Sequence, residues 1–155
     1  MNKLSSVAVT TLVSGGLVLT LATESHAATP IRTKALSTAT AQKGDPYKGG
    51  AAGPNAYDCS GLTYYSYKQN GKKLSRTAQG QYNQSTKVSA SKRAKGDLVF
   101  FGTSSKNIKH VGIYVGSGKI LNANSGSYRG KKVVVAPIGE YTYGGKKVYY
   151  GRING

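Results

Sequence analysis

The stretch His110-Val111-Gly112-Ile113-Tyr114-Val115-Gly116-Ser117-Gly118-Lys119-Ile120-Leu121-Asn122-Ala123-Asn124 decides how the second half of the chain folds. Val111, Ile113 and Val115 alternate with His110, Gly112 and Tyr114, the period-two pattern of a strand with one face in a core. Gly116-Ser117-Gly118 is turn chemistry and the strand pattern resumes at Lys119, so the stretch reads as a β-hairpin with a three-residue loop. Paired residue numbers then sum to 234: Val115 faces Lys119, Gly112 faces Asn122 and His110 faces Asn124. His110 points away from the valine and isoleucine face. Asn122 is diagonal to it, across a glycine with no side chain to intervene, and Asn124 is directly opposite; spacing alone leaves both open as partners of the ring.

Three more segments share the strand signature: Asp97 to Phe101, and, after the hairpin, Lys132 to Ala136 and Lys147 to Ile153 join the two hairpin arms, His110 to Val115 and Lys119 to Ala123. Upstream the pattern is helical. Asp58 suits an N-cap and Gly71 a C-terminal stop for a helix whose first turn holds Cys59, with Cys59, Leu62, Thr63 and Ser66 on one face. A second short helix is expected over Thr77 to Asn83. The run from Gly44 to Asn55, rich in Gly and Pro, is an irregular loop, and Ala28 to Lys43 reads as a loose arm followed by a short helix. Helices first and an antiparallel sheet second is an α+β arrangement.

With 155 residues the chain has room for one modest core. Its 22 Lys and Arg against 5 Asp and Glu give a formal net charge of +17, which predicts anionic surroundings. Lys3, the apolar run Val7 to Leu21 and Ser25-His26-Ala27 form the pattern of a secretory signal peptide over residues 1–27, cut after Ala27. The expectation is a secreted protein, extracellular or associated with the cell wall, with a flexible arm over 28–35 and one domain over 36–155. Removing 1–27 takes away Lys3, Glu24 and His26, so the charge is unchanged and His110 is the one remaining histidine. A single cysteine excludes an internal disulfide, and the histidine count leaves a Cys/His zinc site short of ligands, so neither metal nor cofactor is expected.

Cys59 is therefore read as a thiol. In the first turn of a helix it meets the positive end of the backbone dipole, which favours thiolate, and its own N–H, unpaired at the helix start, is a candidate oxyanion donor. His110 is the one imidazole available to it as a base, and an asparagine holding that ring would complete a Cys-His-Asn arrangement.

Gly44-Asp45-Pro46-Tyr47, Asp58-Cys59-Ser60-Gly61-Leu62, Arg76-Thr77-Ala78 with Gln81, Gly96-Asp97-Leu98-Val99-Phe100-Phe101 and His110 to Gly116 together resemble the NlpC/P60 family of cell-wall cysteine peptidases, over about residues 36 to 138. The resemblance implies a reduced papain-like α+β fold, N-terminal helices packed on an antiparallel sheet. It implies cleavage of peptidoglycan stem peptides, typically between D-γ-glutamyl and a diamino acid, with Cys59 as nucleophile and His110 as base. The family's third polar residue falls on Asn122, which favours it over Asn124. Asp58 is implied both as helix cap and as a contact for a substrate ammonium, with Ser60, Tyr47 and Arg76 as further substrate contacts. Two positions depart from the pattern: Tyr47-Lys48-Gly49-Gly50 lacks the family's tryptophan, and Ser75 replaces the usual proline before Arg76.

The leading expectation is a monomeric thiol hydrolase acting through an acyl-enzyme, binding anionic wall polymers through its basic surface. Two rivals stand beside it. One is an amidase or acyl/peptidyl transferase on the same scaffold. The other is a noncatalytic cationic binder using Lys/Tyr interleaving such as Tyr64-Tyr65-Ser66-Tyr67-Lys68. No signature of specific nucleic-acid binding is present.

Overall fold

In a computed structural model of the chain, the described residues are 8–13, 16–21 and 28–155. Within the expected leader, strands β1 (Ala8–Val13) and β2 (Gly16–Leu21) pair antiparallel in a two-stranded sheet; the expected cleavage site at Ser25-His26-Ala27 lies outside the described residues.

The first helix, α1 (Ile31–Thr40), follows Pro30 and starts inside the segment 28–35 expected to be an arm. Its fully buried positions are both small, Ala35 and Ala39, one turn apart, with Ile31 and Leu36 packing partly buried beside them. Small side chains give little hydrophobic signal but let α1 lie close against the next helix. That helix, α2 (Cys59–Lys68), begins as expected after Asp58, whose backbone is extended and whose side-chain Oδ1 accepts the Gly61 N–H at 2.7 Å. Leu62, Thr63 and Ser66 are buried on one face together with Tyr67. It ends at Lys68, three residues before the expected stop, and Gly71 reverses the chain in the left-handed region, φ 84°. The third helix, α3 (Ala78–Gln84), is capped by Thr77 Oγ1, which accepts the Gly80 N–H at 3.1 Å.

The sheet is antiparallel with strand order β3-β8-β4-β5-β6-β7: β3 (Thr86–Val88), β4 (Leu98–Gly102), β5 (Ile108–Gly116), β6 (Lys119–Asn124), β7 (Lys132–Pro137) and β8 (Lys147–Arg152). The fold is the α+β arrangement read from the sequence, with β3 added as a short edge strand whose three residues are too few for a period-two signal. The sheet, however, is buried on both faces rather than one. Leu98, Phe100, Val111, Ile113 and Leu121 join the helices in the main core. Val99, Phe101, Tyr114, Ile120, Ala136 and Tyr141 make a second, smaller core on the other face, closed by a 3₁₀ turn at Ile138–Tyr141.

The hairpin between β5 and β6 also differs in one detail. Ile113 faces Leu121 and Tyr114 faces Ile120, so those pairs sum to 234 as expected, but the ladder closes on Gly116 opposite Lys119 with Val115 bulged out. The loop is therefore two residues, Ser117 (φ 53°) and Gly118 (φ 68°), both left-handed, which suits the twist of a tight hairpin.

Asp97 ties the layers together. Fully buried, it accepts from Arg152 Nε at 2.7 Å and Nη2 at 2.8 Å and from the Ala94 N–H at 2.7 Å, while Arg32 of α1 approaches to 3.8 Å. Removing the charge while keeping the shape strands these partly buried guanidinium groups. Asp97→Asn is expected to cost about 3 kcal/mol, read as a lowered urea midpoint with unchanged m-value; a shift within error would mean the pair is energetically idle.

Candidate active site

Cys59 is half-buried at the start of α2, and the loop before it is pinned to the helix by backbone contacts. Asp58 N–H donates to Ala51 O at 2.8 Å, and a Cβ on Gly61 would stand 2.0 Å from the same Ala51 oxygen. Glycine at position 61 is thus required for the loop to close over the helix start. Gln81, fully buried on α3, donates to Ser60 O at 3.0 Å and Ser75 O at 2.9 Å and accepts from Thr63 Oγ1 at 2.5 Å, which locks α3 to the first turn of α2.

The Asp58 carboxylate is fully engaged. Oδ1 accepts from Gly61 N–H and from Arg76 Nη1 at 3.0 Å; Oδ2 accepts from Gly50 N–H at 2.9 Å and Arg76 Nη2 at 2.8 Å. Arg76 Nη1 also donates to Ser60 Oγ at 2.9 Å. Burial resists ionisation of Asp58, but Arg76 with the Gly61 and Gly50 N–H groups outweighs it and holds the carboxyl below the ordinary range. A substrate ammonium would have to share Asp58 with Arg76. Tyr47 is half-buried beside them; burial and the nearby Cys59 and Asp58 push its hydroxyl up. Asp58, Cys59, Ser60 and Arg76 line one cavity of about 500 Å³, with Gln79, Ile108 and Lys109 opposite.

His110 comes from β5. Its Nε2 lies 2.9 Å from Asn122 Oδ1 on β6. The Asn122 amide is oriented by Nδ2 donating to Val134 O at 3.3 Å, so Oδ1 faces the ring and can only accept. Nε2 therefore carries the hydrogen, and Nδ1 has the free electron pair. The contact passes over Gly112, where a Cβ would meet Ile120 Cδ1 at 2.8 Å and Asn122 Cβ at 3.2 Å. Asn124, the alternative left open by spacing, is occupied elsewhere: its Nδ2 donates to Gly126 O at 2.8 Å and Gly130 O at 3.0 Å, and its Oδ1 accepts from Tyr141. Tyr141 also stacks on the His110 ring, centroids 4.9 Å apart and planes within 5°. It was not identified from the sequence, because nothing local marks a tyrosine 31 residues downstream as a ring support.

The two halves meet through the backbone: the N–H of Val111, next to His110, points at the Cys59 sulfur. Burial pushes the Cys59 thiol up, and the Asp58 charge adds to this; the N–H groups of Val111, Ser60 and Cys59 itself pull the other way without overcoming it. Burial likewise pushes His110 down to about 4, the Asn122 hydrogen bond opposing and the Lys146 ammonium assisting. The thiolate expected from the helix dipole is thus outweighed by desolvation, and the resting pair is neutral at pH 7. Among the described residues no group of three or more His, Cys, Asp or Glu could hold a metal ion.

A cysteine at a helix start, set against a strand histidine and a neighbouring asparagine over an antiparallel sheet, is the layout of a papain-like α+β domain. The model of the NlpC/P60 family matches residues 44–148, and the chain belongs to that family of peptidoglycan hydrolases and endopeptidases. It is 44% identical over 108 residues to the probable endopeptidase p60 of Listeria seeligeri, covering 68% of this chain and 20% of that protein; the chain thus spans about a fifth of that relative's length. Among solved structures it resembles the peptidoglycan hydrolase RipB of Mycobacterium tuberculosis, with TM-score 0.68 and 27% identity over 81% of this chain and 65% of that one. It also resembles RipD of the same organism, a non-catalytic NlpC/p60 domain protein adapted to peptidoglycan binding, with TM-score 0.64 and 29% identity over 79% and 97%.

NMR titration of the His110 ring is expected to give a midpoint of about 4, below the ~6.5 of a free histidine. Asn122 supports the protonated ring, so Asn122→Leu, of similar volume without an acceptor, should lower the midpoint further; a rise would show that Asn122 does not accept from the ring.

Proposed function

We propose that the chain is an exported cysteine endopeptidase of peptidoglycan stem peptides, cutting the bond between D-γ-glutamyl and a diamino acid. The observation that carries the catalytic reading is that the Val111 N–H points at the Cys59 sulfur while the adjacent residue on the same strand, His110, has its ring held by Asn122. The Cys59 sulfur attacks the amide carbonyl as its proton moves to His110 Nδ1. The Cys59 N–H at the helix start faces the developing oxyanion. His110 then hands that proton to the leaving nitrogen as the C–N bond breaks, leaving a thioester. Water, deprotonated by Nδ1, cleaves the thioester and restores the thiol. Asn122 and the Tyr141 stack keep the ring in position through both transfers.

Because both groups start neutral, no ion pair must be stabilised in the empty site. Charge separates only when the carbonyl is in place, where the helix-start N–H groups receive it. Asp58, Ser60 and Arg76 line the cavity that Cys59 lines, and with Tyr47 they are proposed to hold the L-alanyl-D-glutamyl part of the stem. The leader pattern of residues 1–27 supports export, and the +17 charge supports retention on anionic wall polymers.

The structural likeness to the non-catalytic RipD favours a second reading, a wall-binding domain without turnover. Mass spectrometry of purified muropeptides separates the two. The intact protein should generate new D-γ-glutamyl C-termini; Cys59→Ala should generate none while still adsorbing to walls. Asn122→Ala is expected to reduce kcat/KM by about ten- to a thousandfold, and Asn122→His to restore much of it. Undiminished release of fragments by Cys59→Ala would end the thiol mechanism. Wall adsorption should fall steeply between low and high salt; cleavage of small soluble muropeptides should fall much less, and parallel losses would show that adsorption and turnover are not separate.

A further inference from the structure

A second cavity, of about 470 Å³, is lined by His110 and shares Lys109 with the Asp58 cavity, which His110 does not line. Its lining includes Arg129, Glu140, Tyr143 and Lys146. Arg129 and Glu140 neutralise each other in a bidentate pair, Nε to Oε2 at 2.6 Å and Nη2 to Oε1. Lys109 and Lys146 have no acidic partner among the described residues. Lys146 is half-buried, its Nζ 3.6 Å from the centroid of the exposed Tyr143 ring.

We propose that this cavity receives the leaving-group side of the scissile amide and takes a carboxylate there, with Lys146 distinguishing a free carboxylate from its amide. The inference rests on the endopeptidase reading and adds the chemistry of the departing half. Cys59 lines the first cavity and His110 the second, so the acyl carbon lies toward Asp58 and the nitrogen that takes the proton from His110 lies toward Lys146. The first cavity presents its carboxylate already compensated by Arg76. Unpaired Lys109 borders both cavities, and the second adds the unpaired Lys146 beside one internally neutral ion pair, a site complementary to an anion. Lys146 and His110 line the same cavity, which places the ammonium on the side of the ring that the departing diamino acid would occupy. A carboxamide in the same place offers Lys146 no charge and turns an N–H₂ toward an ammonium that needs an acceptor.

The test uses two peptides of sequence γ-D-glutamyl-diamino acid that differ only in whether the diamino-acid carboxyl is free or amidated. The wild-type chain should show a KM about tenfold lower for the free acid, as for one charge-assisted hydrogen bond. Lys146→Met, which keeps the stem and removes the charge, should abolish that preference. Equal KM values in the wild type, or a preference that survives in Lys146→Met, would overturn the inference. Calorimetry on Cys59→Ala with the isolated diamino-acid amide and free acid supplies a readout without turnover, again with and without Lys146→Met. Cleavage of both peptides without discrimination in either assay leaves the endopeptidase reading standing and removes the subsite. A Lys146-dependent preference in calorimetry, with no cleavage by the wild type, leaves the subsite standing and removes the endopeptidase.

Discussion

The Asp58 carboxylate is the constraint on which the site is built. Two backbone N–H groups and both terminal Arg76 nitrogens converge on it, and each partner comes from a different segment: the 49–53 loop, the first turn of α2, and the bend that leads into α3. The Asp58 N–H to Ala51 O bond and the Gln81 bridge join the same segments in pairs, and the carboxylate is the one group that all three meet, since glycine-rich loops have few side chains with which to pack. A carboxylate one residue before the nucleophile therefore does more than cap a helix. It sets where the loop crosses Cys59, where the guanidinium sits, and how much of the thiol is hidden from water. Burial is the main reason the sulfur is costly to ionise, and the Asp58 charge adds to it.

On the other side the ordering is done by shape rather than charge. Gly112 leaves a gap in β5 that Ile120 and Asn122 of β6 fill, and through that gap Asn122 reaches the His110 ring. Tyr141 covers the ring from the second core, and its hydroxyl is held by Asn124, which in turn fixes the loop over 126–130. The two asparagines of one strand thus act on the same imidazole at different removes, Asn122 through a hydrogen bond to it and Asn124 through the aromatic ring stacked on it. The bulge at Val115 lets a two-residue turn coexist with the register that brings Asn122 to this place.

What could be read from the chain follows from which signals are local. Asp58, Thr77 and the alternation of β5 and β6 act over a few residues, so the helix starts, the main strands and the Gly112 to Asn122 relation were legible. The extra residue of the bulge shifts only the end of the ladder, which is why a three-residue loop gave the right pairs at Ile113 and Tyr114 and the wrong one at Val115. The start of α1 was hidden because two alanines carry its buried face. The second core was hidden because its residues, Phe101, Tyr114 and Tyr141, lie on three separate elements, and strand alternation says which face a residue takes but not whether something covers the far face. The engagement of Asp58 by Arg76, and the stack of Tyr141 on His110, join residues whose approach depends on the whole topology.

Burial decides the chemistry that these contacts can support. A helix dipole and three N–H groups would favour thiolate at an exposed cysteine, and an exposed histidine would be substantially protonated near its ordinary value; here desolvation reverses both tendencies. An ion pair formed in such a site would have little water to screen it and much to lose by dispersing. The neutral pair instead holds its proton until a carbonyl enters, and the charge that then develops appears on the substrate oxygen and on the imidazole together. The electrostatics on either flank are arranged accordingly: a compensated carboxylate beside the sulfur adds no free charge to the acyl side, whereas the uncompensated ammonium beside the ring disfavours imidazolium while the cavity is empty. A substrate carboxylate in that cavity offsets the ammonium, so occupancy of the departing side makes the ring a better base at the moment it is required.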